Sequence, residues 1–224
     1  MLELREKEIL RILEKLKILN FALIGGYAIN AYARPRFSVD CDLVVLNKED
    51  AEQIKKMLIQ EGYEEKEINP NIPYSGEFLC LAKKIEDYTI PFDIMIGSVI
   101  DRDTKLKFPA EWVFKNSKIR TLSGKANPVD IELRIADPEI LIIMKLAASR
   151  KSDLRDVFML FERDINTEFI LSELEKHRLQ NKLIKFREYT SSKEFKDNLQ
   201  GVFGKVDDKA FDKIIGKIKK LEMN

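Results

Sequence analysis

Residues 21–46 read Phe21-Ala-Leu-Ile-Gly25-Gly26-Tyr27-Ala-Ile-Asn-Ala-Tyr-Ala33-Arg34-Pro35-Arg36-Phe-Ser38-Val-Asp40-Cys41-Asp42-Leu-Val-Val-Leu46. Phe21 to Ile24 is a short apolar run ending at a glycine pair, the pattern of a buried strand meeting a tight turn. Tyr27 to Ala33 reads as a short helix stopped by Arg34-Pro35, because the residue before a proline is pushed out of the helical region. Asp40 to Leu46 reads as a second strand. Side chains alternate along a strand, so Asp40 and Asp42 share one face and Cys41 takes the other. Two carboxylates this close repel unless one is protonated or a cation lies between them. A hard divalent ion such as Mg²⁺ prefers such all-oxygen surroundings. Cys41 is then expected to be a small core residue.

A third acid stands in Ile90-Pro-Phe-Asp93-Ile-Met-Ile-Gly97. A carboxylate inside so apolar a strand is costly to bury unless it is paired or metal-bound. If this strand lies beside that of Asp42, three carboxylates converge on one or two ions, Mg²⁺ or Mn²⁺. Such ions polarise an attacking hydroxyl and neutralise a leaving pyrophosphate. Gly25 and Gly26, lacking a Cβ, let the backbone approach a phosphate closely where a helix begins. Ser38 either donates to a phosphate or caps a turn, and Arg34 and Arg36 are candidate phosphate contacts.

Helical spacing of Ile9, Ile12, Leu13, Leu16 and Leu19 predicts an amphipathic helix over Leu2–Leu19. Lys48 to Gln60 is expected to be a helix ended near Gly62. Phe78–Ala82 and Ile90–Ile96 read as strands joined through the polar stretch Lys83–Tyr88, with Pro91 placing the second at its start or at a sheet edge. Lys118–Leu122 and Val129–Leu133 fit strands around Ser123-Gly124. After Ala136 the pattern turns helical. Asp137-Pro138 supplies a capping acid and a proline at the first helical position, and Ile140–Ser149 continues it. Ser152 is placed to cap a helix over Asp153–Phe161, followed by helices at Thr167–Lys176, Asn181–Tyr189 and Asp208–Leu221. The expected fold class is α/β (α+β), with a mixed-sheet domain over residues 1–135 and a helical region over 136–224.

The chain has 224 residues, 34% charged and 45% hydrophobic, enough for a real core. Its 39 Lys and Arg nearly balance 38 Asp and Glu, so no global polyanion-binding surface is implied. Residues 178–224 hold 12 basic and 7 acidic residues, read either as solvated helix faces or as a surface for a nucleic-acid acceptor. Cys41 and Cys80 fit neither a disulfide scaffold nor a zinc spacing, and the single His177 excludes a histidine-rich centre. The opening MLELREKE is too charged for a signal peptide. The longest aliphatic run, Ile140–Met144, is far short of the ~20 residues that span a bilayer. A cytoplasmic protein without membrane contact is expected.

Gly25-Gly26, Tyr27, Ala28, Arg36, Ser38, Asp40 and Asp42, followed by Asp93, resemble the DNA polymerase β-type nucleotidyltransferase superfamily. Pro138-Glu139, Lys145-Leu-Ala-Ala, Arg150, Lys151, Asp153 and Asp156 resemble its AbiEii/AbiGii toxin-like branch. The resemblance covers roughly residues 20–162. It departs at Tyr27, where the branch often carries a Thr or Ser hydroxyl after the glycine pair. The resemblance implies that Asp40, Asp42 and Asp93 ligate metal and that Asp93 also activates the acceptor hydroxyl. It implies a triphosphate cradle at Gly25 and Gly26, a phosphate contact from Lys145 and a site-facing Asp153. A lysine on an otherwise apolar face (Ile142, Ile143, Leu146) independently calls for an anionic partner. The implied activity is transfer of a nucleoside monophosphate from an NTP, ATP among them, to a hydroxyl on RNA or tRNA, protein or a small molecule. A toxin role would bring an antitoxin partner. Two other classes stay open on the residues alone: a catalytically silent nucleotide-binding module, and a glycosyltransferase using Asp-x-Asp, which would need neither the glycine pair nor Asp93.

Overall fold

β-Branched and aromatic runs alternate with amphipathic stretches through the first 136 residues, and the chain folds accordingly. In a computed structural model describing residues 2–66 and 76–221, the elements run α1 (Leu2–Leu16), β1 (Ala22–Ile24), α2 (Gly25–Ile29), β2 (Cys41–Val45), α3 (Lys48–Gln60), β3 (Glu64–Lys66), β4 (Glu77–Ile85) and β5 (Tyr88–Ile96). These are followed by β6 (Ser98–Ile100), β7 (Lys107–Pro109), α4 (Ala110–Lys115), β8 (Ser117–Leu122) and β9 (Ile131–Ala136). Then come α5 (Pro138–Ala148), α6 (Lys151–Leu160), α7 (Thr167–Lys176), α8 (Gln180–Thr190), α9 (Lys193–Phe203) and α10 (Asp208–Lys219). The chain divides into two compact units, one reaching Ala31 and resuming over Pro35–Asp137, the other made of Tyr32–Arg34 and the chain from Pro138 onward.

The first unit is built on a seven-stranded mixed sheet of order β3-β4-β5-β2-β1-β9-β8, with β6 and β7 forming a separate pair. β2 runs parallel to β5, and β1 parallel to β9; the other neighbours are antiparallel. The strands at its centre are apolar on both faces: Leu23, Leu43, Val44, Val45, Phe92 and Ile94 are fully buried. α3 begins at Asn47, whose side chain accepts from the Asp50 N–H at 2.8 Å, and it buries Ala51, Ile54 and Leu58. This is the helix-start chemistry the sequence carries.

Several elements differ from the sequence reading in extent. β4 and β5 close through Glu86-Asp87, so the stretch Lys83–Tyr88 is mostly strand rather than connection. β5 begins at Tyr88 and lies inside the sheet, between β4 and β2. Pro91 is tolerated there because β2 pairing starts one residue later, at Phe92. At Pro91 the strand has a single neighbour, and the missing N–H interrupts no second ladder. The helix after the glycine pair starts at Gly25 itself and ends at Ile29. The strand expected near Val129 runs from Ile131 to Ala136.

The second unit is helical. α5 touches α6, α7 and α8, and α8 touches α9 and α10. Its aromatic centre joins Phe158 to Phe195 (5.1 Å between ring centroids) and to Phe211 (5.0 Å). α9 escaped the sequence reading, although Phe195, Leu199 and Phe203 are spaced to fall on one buried helix face. Among the described residues no helix is long and apolar enough to cross a membrane.

Candidate active site

Five strands contribute to one transverse row. Ile24 of β1 stands opposite Asp42 of β2, and Asp42 beside Asp93 of β5. Asp93 stands opposite Cys80 of β4, and Cys80 opposite Lys66 of β3. Paired residues project to the same face of a sheet. Asp40 joins the row from the segment immediately before β2. One oxygen from each of Asp40, Asp42 and Asp93 lies within 4.8 Å of the others. Asp42 and Asp93 are half-buried and keep access to solvent, whereas Cys41, between Asp40 and Asp42, is completely buried. The alternation read from Asp-x-Asp and the neighbouring strand expected for Asp93 are both present.

Three carboxylates at this spacing oppose one another electrostatically. Burial pushes the Asp93 carboxyl above the ordinary aspartate range and Asp40 adds to that, while a hydrogen bond from Cys80 and the charge of Arg102 act the other way. Burial, and then the charge of Asp93, pushes the Cys80 thiol up to about 12, so the thiol is protonated and donates. Among the described residues this is the group of three or more Asp, Glu, His or Cys side chains spaced to share an ion. Its donors are all oxygen, converge on one point and remain open to solvent, which fits a hard divalent cation.

The glycine turn abuts this cluster. Gly25 has φ +69, a left-handed value. A Cβ on Gly26 would meet Ser38 Oγ at 2.1 Å and Arg36 Nη2 at 3.1 Å. Ser38 and Arg36 therefore lie directly over the turn. The Ser38 hydroxyl also donates to Asp40 Oδ1 at 3.4 Å, linking turn and acids. Asn30 clamps this loop from the end of α2, accepting from the Arg36 N–H at 3.1 Å and donating to the Arg36 carbonyl at 2.9 Å. Tyr27 is buried, and its hydroxyl donates to the Ser38 carbonyl at 3.4 Å. The Tyr27 phenol thus tethers the Ser38 loop from inside the core. Arg34, the other arginine of this stretch, belongs to the helical unit and donates to the Phe203 carbonyl at 2.6 Å.

Residues 10–224 match the family model described as nucleotidyl transferase AbiEii toxin, type IV TA system. The chain belongs to this AbiEii family. A solved structure of a candidate nucleotidyltransferase from H. pylori is similar over 99% of this chain and 98% of that one, with 18% identity and a TM-score of 0.46. No curated protein matches the chain.

In this AbiEii chain the remaining residues singled out from the sequence sit in the helical unit. Lys145 Nζ lies 3.0 Å from Asp153 Oδ1 and 2.7 Å from Asp156 Oδ2, with all three residues buried. Both acids hold the lysine. Asp153 also accepts the Arg150 N–H at 3.2 Å. Arg150 therefore takes the cap position expected of Ser152, and Ser152 lies within α6. Three residues near the acids were not foreseen: Asn30, Arg102 and Cys80. The signal for Cys80 was present, since a two-residue turn at Glu86-Asp87 places it opposite Asp93.

Proposed function

We propose that this AbiEii-family chain is a divalent-metal-dependent nucleotidyltransferase that moves a nucleoside monophosphate from an NTP, such as ATP, to an acceptor hydroxyl. Residues 1–135 act as the catalytic domain and 136–224 as its helical partner domain. The observation that carries this reading is the convergence of Asp40, Asp42 and Asp93 within 4.8 Å beside a glycine turn. Asp40, Asp42 and Asp93 hold Mg²⁺ or Mn²⁺, which supplies positive charge against the phosphates and the acceptor oxygen. Asp93 accepts the proton of the acceptor hydroxyl. Backbone N–H groups at Gly25 and Gly26 receive the triphosphate, and Ser38 and Arg36, lying over that turn, donate to its oxygens. Lys145 and Asp153 are assigned to the nucleotide by resemblance alone, and a phosphate would compete with the two carboxylates for Lys145. The acceptor is an RNA such as tRNA, a protein or a small molecule, and the family description, a toxin of a type IV system, supports an antitoxin as partner.

The test offers each α-³²P-labelled NTP with Mg²⁺ or Mn²⁺ to total tRNA, a protein lysate and aminoglycosides. Label in one pool, lost with EDTA and in Asp40→Ala/Asp42→Ala, supports the reading and names the acceptor. Metal-dependent NTP binding without label in any pool points instead to a silent nucleotide-binding module.

A further inference from the structure

We propose that Cys80 is a positioning residue for Asp93: its S–H donates to one carboxylate oxygen and so fixes the other toward the cation. This rests on the reading of Asp93 as ligand and base. The geometry begins with register. Cys80 and Asp93 are direct partners across the antiparallel β4–β5 pair, in the only row of that pair that also contains Asp42. Directly opposed side chains share a face with Cβ atoms about 5 Å apart. The thiol donates to Asp93, while Lys66 occupies the far side of Cys80. One oxygen of Asp93 is committed to the cluster with Asp40 and Asp42. A carboxylate with a single anchored oxygen rotates about its Cγ bond, and a donor on the second oxygen removes that freedom. Hydrogen bonds of this outer kind orient ligating carboxylates and typically control about 10- to 100-fold in metal affinity or rate. A thiol is a weak donor, which puts Cys80 at the lower end of that range.

Packing is the competing explanation, and two substitutions separate it from donation. Cys80→Ser keeps a donor and loses volume; Cys80→Val fills the volume and loses the donor. The readouts are Mn²⁺ affinity by EPR titration in the presence of ATP, and kcat against KM for the NTP in the labelled-transfer assay. Donation predicts that Cys80→Val loses about tenfold in Mn²⁺ affinity and in kcat, with NTP KM within about twofold of wild type, while Cys80→Ser stays near wild type in all three. Full retention by Cys80→Val, or loss by Cys80→Ser with retention by Cys80→Val, overturns the proposal while leaving the function intact. Equal Mn²⁺ binding by wild type and Asp93→Asn overturns the reading of Asp93 itself, and the role of Cys80 falls with it.

Discussion

A Cβ placed on Gly25 would stand 1.9 Å from Oδ2 of Asp42 and 2.7 Å from its Cγ. The glycine turn and the central acid therefore occupy contiguous space, and any side chain at position 25 displaces the carboxylate. Gly25 also holds φ +69, where a non-glycine residue costs about 1–3 kcal/mol.

Gly25→Ala is accordingly expected to melt several degrees below wild type and to lose stabilisation by Mn²⁺ plus ATP. Thermal melts with and without the ligands check both effects. An alanine variant that keeps the full ligand shift would show that the turn does not constrain the acids.

Lys145 is clasped by Asp153 and by the fully buried Asp156. Removing one partner of a buried ion cluster leaves uncompensated charge, at a cost of about 3–5 kcal/mol. Lys145→Met should show that loss in urea unfolding, and Lys145→Met/Asp153→Asn/Asp156→Asn should recover much of it. If Lys145→Met unfolds like wild type but raises the KM for the NTP, the lysine serves the nucleotide rather than the helical unit.

Glu6 is buried in α1 and gathers the turn between β8 and β9. It accepts the N–H groups of Lys125 at 2.7 Å, Ala126 at 2.8 Å and Asn127 at 3.1 Å. Charge-assisted bonds of this kind contribute about 1.5–3 kcal/mol, and orphaned donors add to the loss. Glu6→Ala is expected to lose about 3 kcal/mol and to speed amide exchange at residues 125–127. Unchanged exchange there would mean that the loop holds itself.

The sequence disclosed the acids because period-two alternation is a local property: Asp40 and Asp42 must share a face whichever strand comes next. It disclosed the glycine turn for the same reason. Elements whose stability comes from the sheet around them were not legible. β3 is Glu64–Lys66, all exposed, and no pattern in three polar residues marks a strand. β6 and β7 are equally short, and α4 has only six residues. Register was recoverable only through Glu86-Asp87, a turn lacking the usual Gly or Asn, in which Glu86 takes φ 54. Missing that turn concealed Cys80. The Lys145 cluster was seen as a lysine in need of anions; that both nearby acids answer it depends on α5 and α6 packing, which spacing alone does not give.

Glu61 offers a test by pH. Lys15 and then Arg11 hold its carboxyl down to about 2 from an ordinary 4.5. A depressed folded-state pKa stabilises fully above the unfolded value and is lost as pH falls through the folded one. Glu61→Gln should therefore cost about 1 kcal/mol at pH 7, a modest figure because the pair lies near solvent. The gap to wild type should close between pH 4.5 and about 2. Urea midpoints across that range decide it, and a gap that persists at the acid end would assign the loss to packing.

The central claim is that Asp40, Asp42 and Asp93 form one divalent-cation site. EPR titration with Mn²⁺ of wild type, Asp42→Asn and Asp93→Asn, each with ATP, tests it most directly. The account predicts tight Mn²⁺ binding by wild type and a loss of at least about tenfold in each variant. Equal Mn²⁺ binding by all three proteins would contradict it.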